Sequence, residues 1–409
     1  MNRNNTAQRS VALPLPQGWS WKPLHSLIVG SLKYGINAPS VAFCDELPAY
    51  LRITDITESG SYTDEKRVSV DSPNASDYIL EDGDIAVART GASVGKSYLH
   101  KLKNGPLVYA GFLIRIRLNG ELVLPAYLHL FMQTTAYWRW IKITSVRSGQ
   151  PGVNSTEYAS LKVPTPQVAE QEEIVAVFSA WDRAIEMTEA LIAAKQRYKQ
   201  AMLQHIFRAR GHQRTQLSKV LQRVRIPVNP QANSAYHQIG IRSHGKGIFH
   251  KPAVTGESLG NKRVYQIKPD CFVFNVVFAW EQAVARTTKQ EAGMIASHRF
   301  PMYEPIEDLV DIDYLLYFFK TKLGKHLLGL ASPGGAGRNR TLSQAAFLKL
   351  KVALPSRTEQ SQCVNVLTSV DQEISLLEQR VELLQQQKKG LMQQLLTGKI
   401  RVKIPRKAK

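Results

Sequence analysis

The chain has 409 residues, more than one hydrophobic core usually serves, so at least two domains are expected. A hydrophobic share of 44% permits packed cores, while a formal net charge of +20 points to a polyanionic partner, nucleic acid being the commonest. Three scattered cysteines (Cys44, Cys271, Cys363) exclude a disulfide framework and a zinc-ligand spacing, and no apolar run has membrane-spanning length, so a soluble, cytoplasmic protein is expected.

In chain order, residues 1–160 read as a first globule that mixes strands and helices. Asp84 to Arg89 and Leu113 to Leu118 are β-type runs, and Pro125-Ala126-Tyr127-Leu128 opens a short apolar helix. Gly91-Ala92-Ser93-Val94-Gly95-Lys96-Ser97 imitates a phosphate-binding loop, but three residues separate its glycines where that loop needs four. Flanked by Arg89 and Lys96, the stretch better suits close approach to a phosphate backbone. Arg115 and Arg117 alternate along a strand and so share one face. Arg147-Ser148-Gly149-Gln150 then forms a basic loop just before a long helix.

That helix, residues 161–210, recurs as residues 351–400. When Pro166 to Ile206 is laid on Pro355 to Leu395, 11 of the 41 pairs are identical, where chance gives about two or three. In the second copy Leu367, Val370, Ile374, Leu377, Val381, Leu384, Lys388, Leu391 and Leu395 alternate steps of three and four. The first copy has Phe178, Trp181, Ile185, Thr188, Ile192, Lys195, Lys199, Met202 and Ile206 at the equivalent places. A heptad seam sustained this long predicts paired coiled-coil helices. Ser356 and Glu359 suggest a capping box, Glu170, Glu172 and Glu173 place negative charge at the first helix start, and Gly211 and Gly398 follow the last seam residues. The seam lysines Lys199 and Lys388 either fix the register or snorkel to water.

Between the helices, residues 211–350 read as a second globule. Tyr265-Gln266-Ile267 through Asp270-Cys271-Phe272 parallels Tyr78-Ile79-Leu80 through Gly83-Asp84-Ile85, at an offset near 187. Cys271 to Val277 is a strand run, and Ile312-Asp313-Tyr314-Leu315 opens the matching short helix. Its basic candidates are Lys262, Arg263 and Arg286, with Arg338, Asn339 and Arg340 in a loop from Pro333 that precedes the second helix as Arg147 to Gln150 precedes the first. Arginine, asparagine and glutamine pair bidentately with guanine and adenine edges, and glycine-rich flanks let them reach a groove. Residues 401–409 form a basic tail suited to non-specific affinity.

Catalysis finds no support. Adenine methylation would need an Asn-Pro-Pro-aromatic motif, and Asn229-Pro230-Gln231 is a plain turn signal. Asp55 with Asp64-Glu65-Lys66 only loosely imitates a nuclease spacing, and the histidines show no metal spacing. No catalytic or metal-binding residue is expected.

The paired Pro-x-x-x-Glu-Gln helix openings (Pro166 to Gln171, Pro355 to Gln360), the ending Leu395-Leu396-Thr397-Gly398-Lys399-Ile400, Leu15-Pro16-Gln17-Gly18-Trp19 and Ala88-Arg89-Thr90-Gly91 together resemble the specificity subunits of type I restriction-modification systems. The second globule departs from this pattern, with Phe274 to Trp280 where the first has its Arg-Thr-Gly stretch. The resemblance implies an α+β architecture, two pseudo-repeated α/β target recognition domains joined by two long antiparallel coiled-coil helices. Each domain would read half of a split double-stranded DNA target. The helices, roughly 50 Å long at 1.5 Å per residue, would span half-sites about one turn of DNA, roughly 34 Å, apart. Two modification (methyltransferase) subunits and restriction/translocase subunits would be the partners. They would supply S-adenosylmethionine, ATP and Mg2+, with no cofactor in this chain. The specificity subunit of another multi-subunit restriction-methylation type is the alternative within DNA binding; a coiled-coil adaptor whose globules bind protein is the alternative of another class, and the basic loops argue against it.

Overall fold

The computed structural model describes residues 15–147, 149–208, 213–260, 262–334 and 340–404. It comprises two compact units, residues 1–188 with 380–409, and residues 189–379. Each unit contains one globule and a portion of each long helix.

In the first unit a four-stranded sheet runs in the order Lys33–Tyr34, Leu113–Ile116, Ile85–Ala88, Ser97–Leu99, every pairing antiparallel. Alternation along its strands sorts the side chains between two cores. Ile85, Val87, Ile114 and Ile116 join Tyr127, Phe131 and Tyr137 of the short helices on one face. Ala86, Ala88 and Leu113 join Leu51, Tyr98 and Leu107 on the other. A second four-stranded sheet, in the order Ser40–Ala42, Val68–Val70, Ala49–Leu51, Leu107–Tyr109, contributes Leu51 and Leu107.

The second unit repeats the plan. Its four-stranded sheet runs Leu221–Val224, Met302–Pro305, Phe272–Phe274, Val284–Arg286, again antiparallel throughout. Here aromatic residues fill the helix-facing side. Phe272 and Phe274 pack against Phe347 at 5.9 and 4.8 Å between ring centroids, with Phe319 and Tyr303 beside them. The offset is 187 from strand Ile85–Ala88 (Phe272–Phe274) to helix Thr135–Thr144 (Lys322–Leu330), and 189 from strand Lys162–Thr165 (Lys351–Ala353) onward. The second copy therefore carries two extra residues between helix Lys322–Leu330 and its last short helix, Gln344–Lys349.

The long helices span Val168–Arg208 and Arg357–Leu395. Their burial follows the expected seam: between 376 and 388 only Leu377, Val381, Leu384 and Lys388 escape full exposure. Phe178, Trp181, Ile185, Ile192, Met202 and Ile206 are likewise sheltered on the first helix, as are Leu367, Val370, Ile374, Leu391 and Leu395 on the second. Within the first unit Ile174 and Phe178 share a core with Met392, Leu395 and Leu396, and Asp182 pairs with Lys388, so the two segments run antiparallel. Within the second, Lys195 pairs with Glu373 and Lys199 with Asp371, again antiparallel. Lys199 and Lys388, at equivalent seam positions, thus make reciprocal cross-helix ion pairs with Asp371 and Asp182, which accounts for their place in a largely apolar seam.

The repeated glutamine has a specific job. Gln171 is fully buried; its side-chain oxygen accepts from Leu124 N at 2.8 Å, and its amide donates to Leu122 O and Pro166 O. Gln360 does the same for Asp311 N, Leu309 O and Pro355 O. Each glutamine ties a helix start to the loop that enters its globule's first apolar helix. Ser356 and Glu359 form the expected capping box. Glu170 instead accepts from Trp19 Nε1 and from the Arg401 guanidinium, drawing the segment after the second helix onto the first globule. Gly398 closes the second helix at φ +74°, and a Cβ there would meet Pro16 at 2.5 Å. Gly211 lies outside the described residues.

Candidate nucleic-acid interface

In the first globule the loop that precedes the long helix is sewn onto the end of strand Ile85–Ala88. Gly91 N donates to Pro151 O at 2.9 Å, Val153 N to Arg89 O at 2.8 Å, and Arg89 N to Phe112 O at 3.0 Å. Gly91 has φ +76°, and a Cβ there would lie 2.8 Å from the Gln150 side-chain nitrogen. The positive φ favours glycine at this turn, across which Gln150 lies. The Arg89 guanidinium donates to Gly111 O and sits 5.0 Å from the centre of the Tyr34 ring. Tyr34 is 40% exposed and Phe112 56%. Arg89, Gln150, Tyr34 and Phe112 therefore form one outward-facing group able to stack and to hydrogen-bond.

Three other sequence candidates, Arg117, Lys96 and Arg147, serve the scaffold. Arg117 grips the buried Asp84 with two hydrogen bonds, at 2.9 and 2.8 Å, and pairs with Glu81. Those carboxylates hold its guanidinium well above the usual arginine range. Lys96 pairs with Glu58 at 2.5 Å, and Gly95 packs on Ile141, so the glycine-rich stretch is a packed turn. Arg147 reaches Glu157 and the carbonyls of Thr144 and Val146. Arg115 is half-buried opposite Lys33 and Ala86, and its Nε has no partner among the described residues.

The second globule builds the same junction with different side chains. Val276 N donates to Arg299 O at 3.0 Å and Leu342 N to Val276 O at 2.8 Å, the counterparts of the Arg89–Phe112 and Val153–Arg89 bonds. Val276 stands where Arg89 does, and Arg299 where Phe112 does. Arg340 lies 5.7 Å from the Trp280 ring centre, and Trp280 is turned by its own bond to Val277 O. Arg338 and Asn339 lie outside the described residues. Lys262 and Arg263 are exposed just before strand Val264–Gln266. Arg286 is tied to Asp270 at 2.7 Å and to Asp313, a scaffold role like that of Arg117. Burial raises the Asp313 carboxyl against the pull of Arg286.

Sequence reasoning passed over Tyr34, Phe112, Arg299 and Trp280. The only signal was the repeat itself, since each lies where its copy's junction is built. Among the described residues no three His, Cys, Asp or Glu are grouped to hold a metal, and no helix is long and apolar enough to cross a membrane.

The family model for the type I restriction modification DNA specificity domain matches residues 49–195 and again 245–386. Two proteins of Methanocaldococcus jannaschii named as type I restriction enzyme specificity subunits, MjaX and MjaVIII, are similar along most of their length. MjaX is 24% identical over 372 residues, covering 85% of this chain and 84% of its own. MjaVIII is 21% identical over 360 residues, covering 80% and 81%. The crystal structure of the HsdS subunit from Thermoanaerobacter tengcongensis shares the fold with a TM-score of 0.51 at 15% identity, over 95% of this chain and 99% of that one.

Proposed function

The chain belongs to the type I restriction modification DNA specificity family, and from that premise we propose that each globule reads one half of a split DNA target. It is a specificity subunit with two target recognition domains. One observation carries the division of labour. The same loop-on-strand junction is built twice, at Arg89 with Val153 and at Val276 with Leu342, yet it displays different side chains each time. A shared scaffold with unlike reading groups is what two half-sites of different sequence require.

In this reading the long helices set the unread spacer and dock two modification subunits. Exposed apolar residues at one matching place on the two helices support docking: Met187 is 67% exposed and its counterpart Leu376 64%. S-adenosylmethionine, ATP and Mg2+ would act on the partner subunits, and this chain would direct the chemistry without performing it.

Co-expression with the cognate modification subunit followed by mapping of methylated adenines tests the proposal. A two-part motif with a fixed gap is expected, and replacing residues 211–350 by another subunit's domain should change one part only. A methylome without a split motif, or a swap that alters both parts, would refute it.

A further inference from the structure

The positive charge is distributed unequally between the globules. Residues 15–167 carry 15 Lys and Arg against 13 Asp and Glu, whereas residues 213–350 carry 19 against 9. The first globule is close to neutral, and the second is strongly basic.

Part of that excess is gathered beside the second junction. Arg223 lies on strand Leu221–Val224 opposite Tyr303, with Arg225 just beyond it. His298 and Arg299 occupy the turn that leads into the partner strand Met302–Pro305. Arg223, Arg225, Tyr265, His298 and Phe300 line one shallow cleft, with Arg299 next to it in the chain. No carboxylate compensates them: among the described residues, none of the three arginine side chains makes an ion pair or a hydrogen bond, and Arg223 Nε is buried without a partner. Glu304, the neighbouring acid, is taken by Lys268 and Gln222. Burial and the nearby charge of Arg225 lower the pKa of the Arg223 guanidinium. Arg117 is matched by Asp84 and Arg286 by Asp270 and Asp313, whereas Arg115, like Arg223, has an Nε without a partner among the described residues. Arg223 and Arg225 face one cleft without a counter-charge, which is costly, and a bound anion removes that cost.

The repeat sharpens the contrast. Lys33 opposite Arg115 in the first globule corresponds to Val224 opposite Met302 in the second, so Arg225 follows in the chain where Tyr34 does, and Arg299 replaces Phe112. Two exposed aromatics have become two exposed arginines.

We propose that Arg223, Arg225 and Arg299 form a phosphate-binding site that holds the DNA sugar–phosphate backbone irrespective of base sequence, making the second globule the main source of salt-dependent affinity. This rests on the DNA-reading function proposed above. The planar guanidinium fork suits phosphate oxygens, and each neutralised phosphate adds about 0.9 to the slope of log affinity against log salt.

The test uses the full-length chain and two duplexes of equal length, one carrying its methylation motif and one scrambled, titrated from low to moderate salt. Arg225→Ala with Arg299→Ala, both exposed and so compatible with an unchanged melting temperature, should weaken binding to both duplexes by the same factor. The salt slope should become shallower by about 2, and Arg225→Lys with Arg299→Lys should retain most of it. An unchanged slope, or a loss confined to the motif duplex, would overturn the phosphate site while leaving the DNA-reading function standing. A wild-type chain that binds neither duplex would overturn both.

Discussion

Replacing Gln171 by leucine keeps nearly the same volume and removes every polar contact of a fully buried side chain. Leu124 N, Leu122 O and Pro166 O each lose a partner, at 2.8, 3.1 and 3.0 Å. A buried backbone group left unpaired costs about 1–3 kcal/mol. Allowing for partial hydration after relaxation, the loss should be about 3–5 kcal/mol. For a unit of this size that lowers the melting temperature by on the order of 10 °C. Gln360→Leu should act comparably in the second unit, somewhat less because its contact to Leu309 O is longer, at 3.4 Å. Gln171→Glu separates polarity from size. It preserves the acceptor for Leu124 N but sets a carboxylate oxygen against two carbonyls, so the introduced carboxyl should have a folded pKa above its unfolded one. Stability relative to wild type should then be best below the ordinary carboxylate range, and should fall as the pH rises through the raised value. Thermal unfolding of the three variants between pH 4 and 8 measures this. Losses below about 1 kcal/mol for both leucine variants, or a Gln171→Glu defect that worsens on acidification, would refute the reasoning.

Arg89→Ala should reduce discrimination at one position of the target by about 1–3 kcal/mol while leaving binding to scrambled duplex nearly unchanged; an equal loss on both would assign Arg89 to the backbone instead. Lys199→Asp and Asp371→Lys should each destabilise the second unit by about 1 kcal/mol and the double swap should recover most of the loss, as a double-mutant cycle in urea can show; no recovery would mean that the pair does not set register. His129 has its pKa pushed down to about 4, first by burial and then by Lys101 and Lys388. Its folded pKa lies below the unfolded one, so its contribution is complete above about 6.5 and is lost as the pH falls toward 4. His129→Gln should show a shallower decline of melting temperature across that window, and an identical decline would remove His129 as a cause.

Much of the architecture was legible because it rests on local periodicity. The seam from Phe178 to Ile206 and from Leu367 to Leu395 needs only a 3.5-residue repeat, and the burial follows it. The Glu-Gln openings were visible as repeated letters, but their different tasks were not. Gln171 reaches 47 residues back to Leu124 and Glu170 reaches 231 residues on to Arg401, and neither distance leaves a trace in spacing. The interface was only half legible for the same reason. Arg89 and Gln150 stood out by residue type, whereas Tyr34 and Phe112 join them through strand pairing. Conversely, Lys96, Arg117 and Arg147 looked available because their acids, Glu58, Asp84 and Glu157, are 38, 33 and 10 residues away.

The first unit is assembled from both ends of the chain, whereas the second is one continuous segment, residues 189–379. On the ribosome this inverts the usual order in which the N-terminal domain matures first. The second globule, with the helix portions belonging to its unit, has all its residues while residues 380–409 are still to be made. The first must wait with part of its core uncovered until Met392, Leu395 and Leu396 emerge and Arg401 reaches Glu170. A stop between residues 390 and 401 would therefore leave the first globule, not the second, as the one exposed to chaperones and proteases.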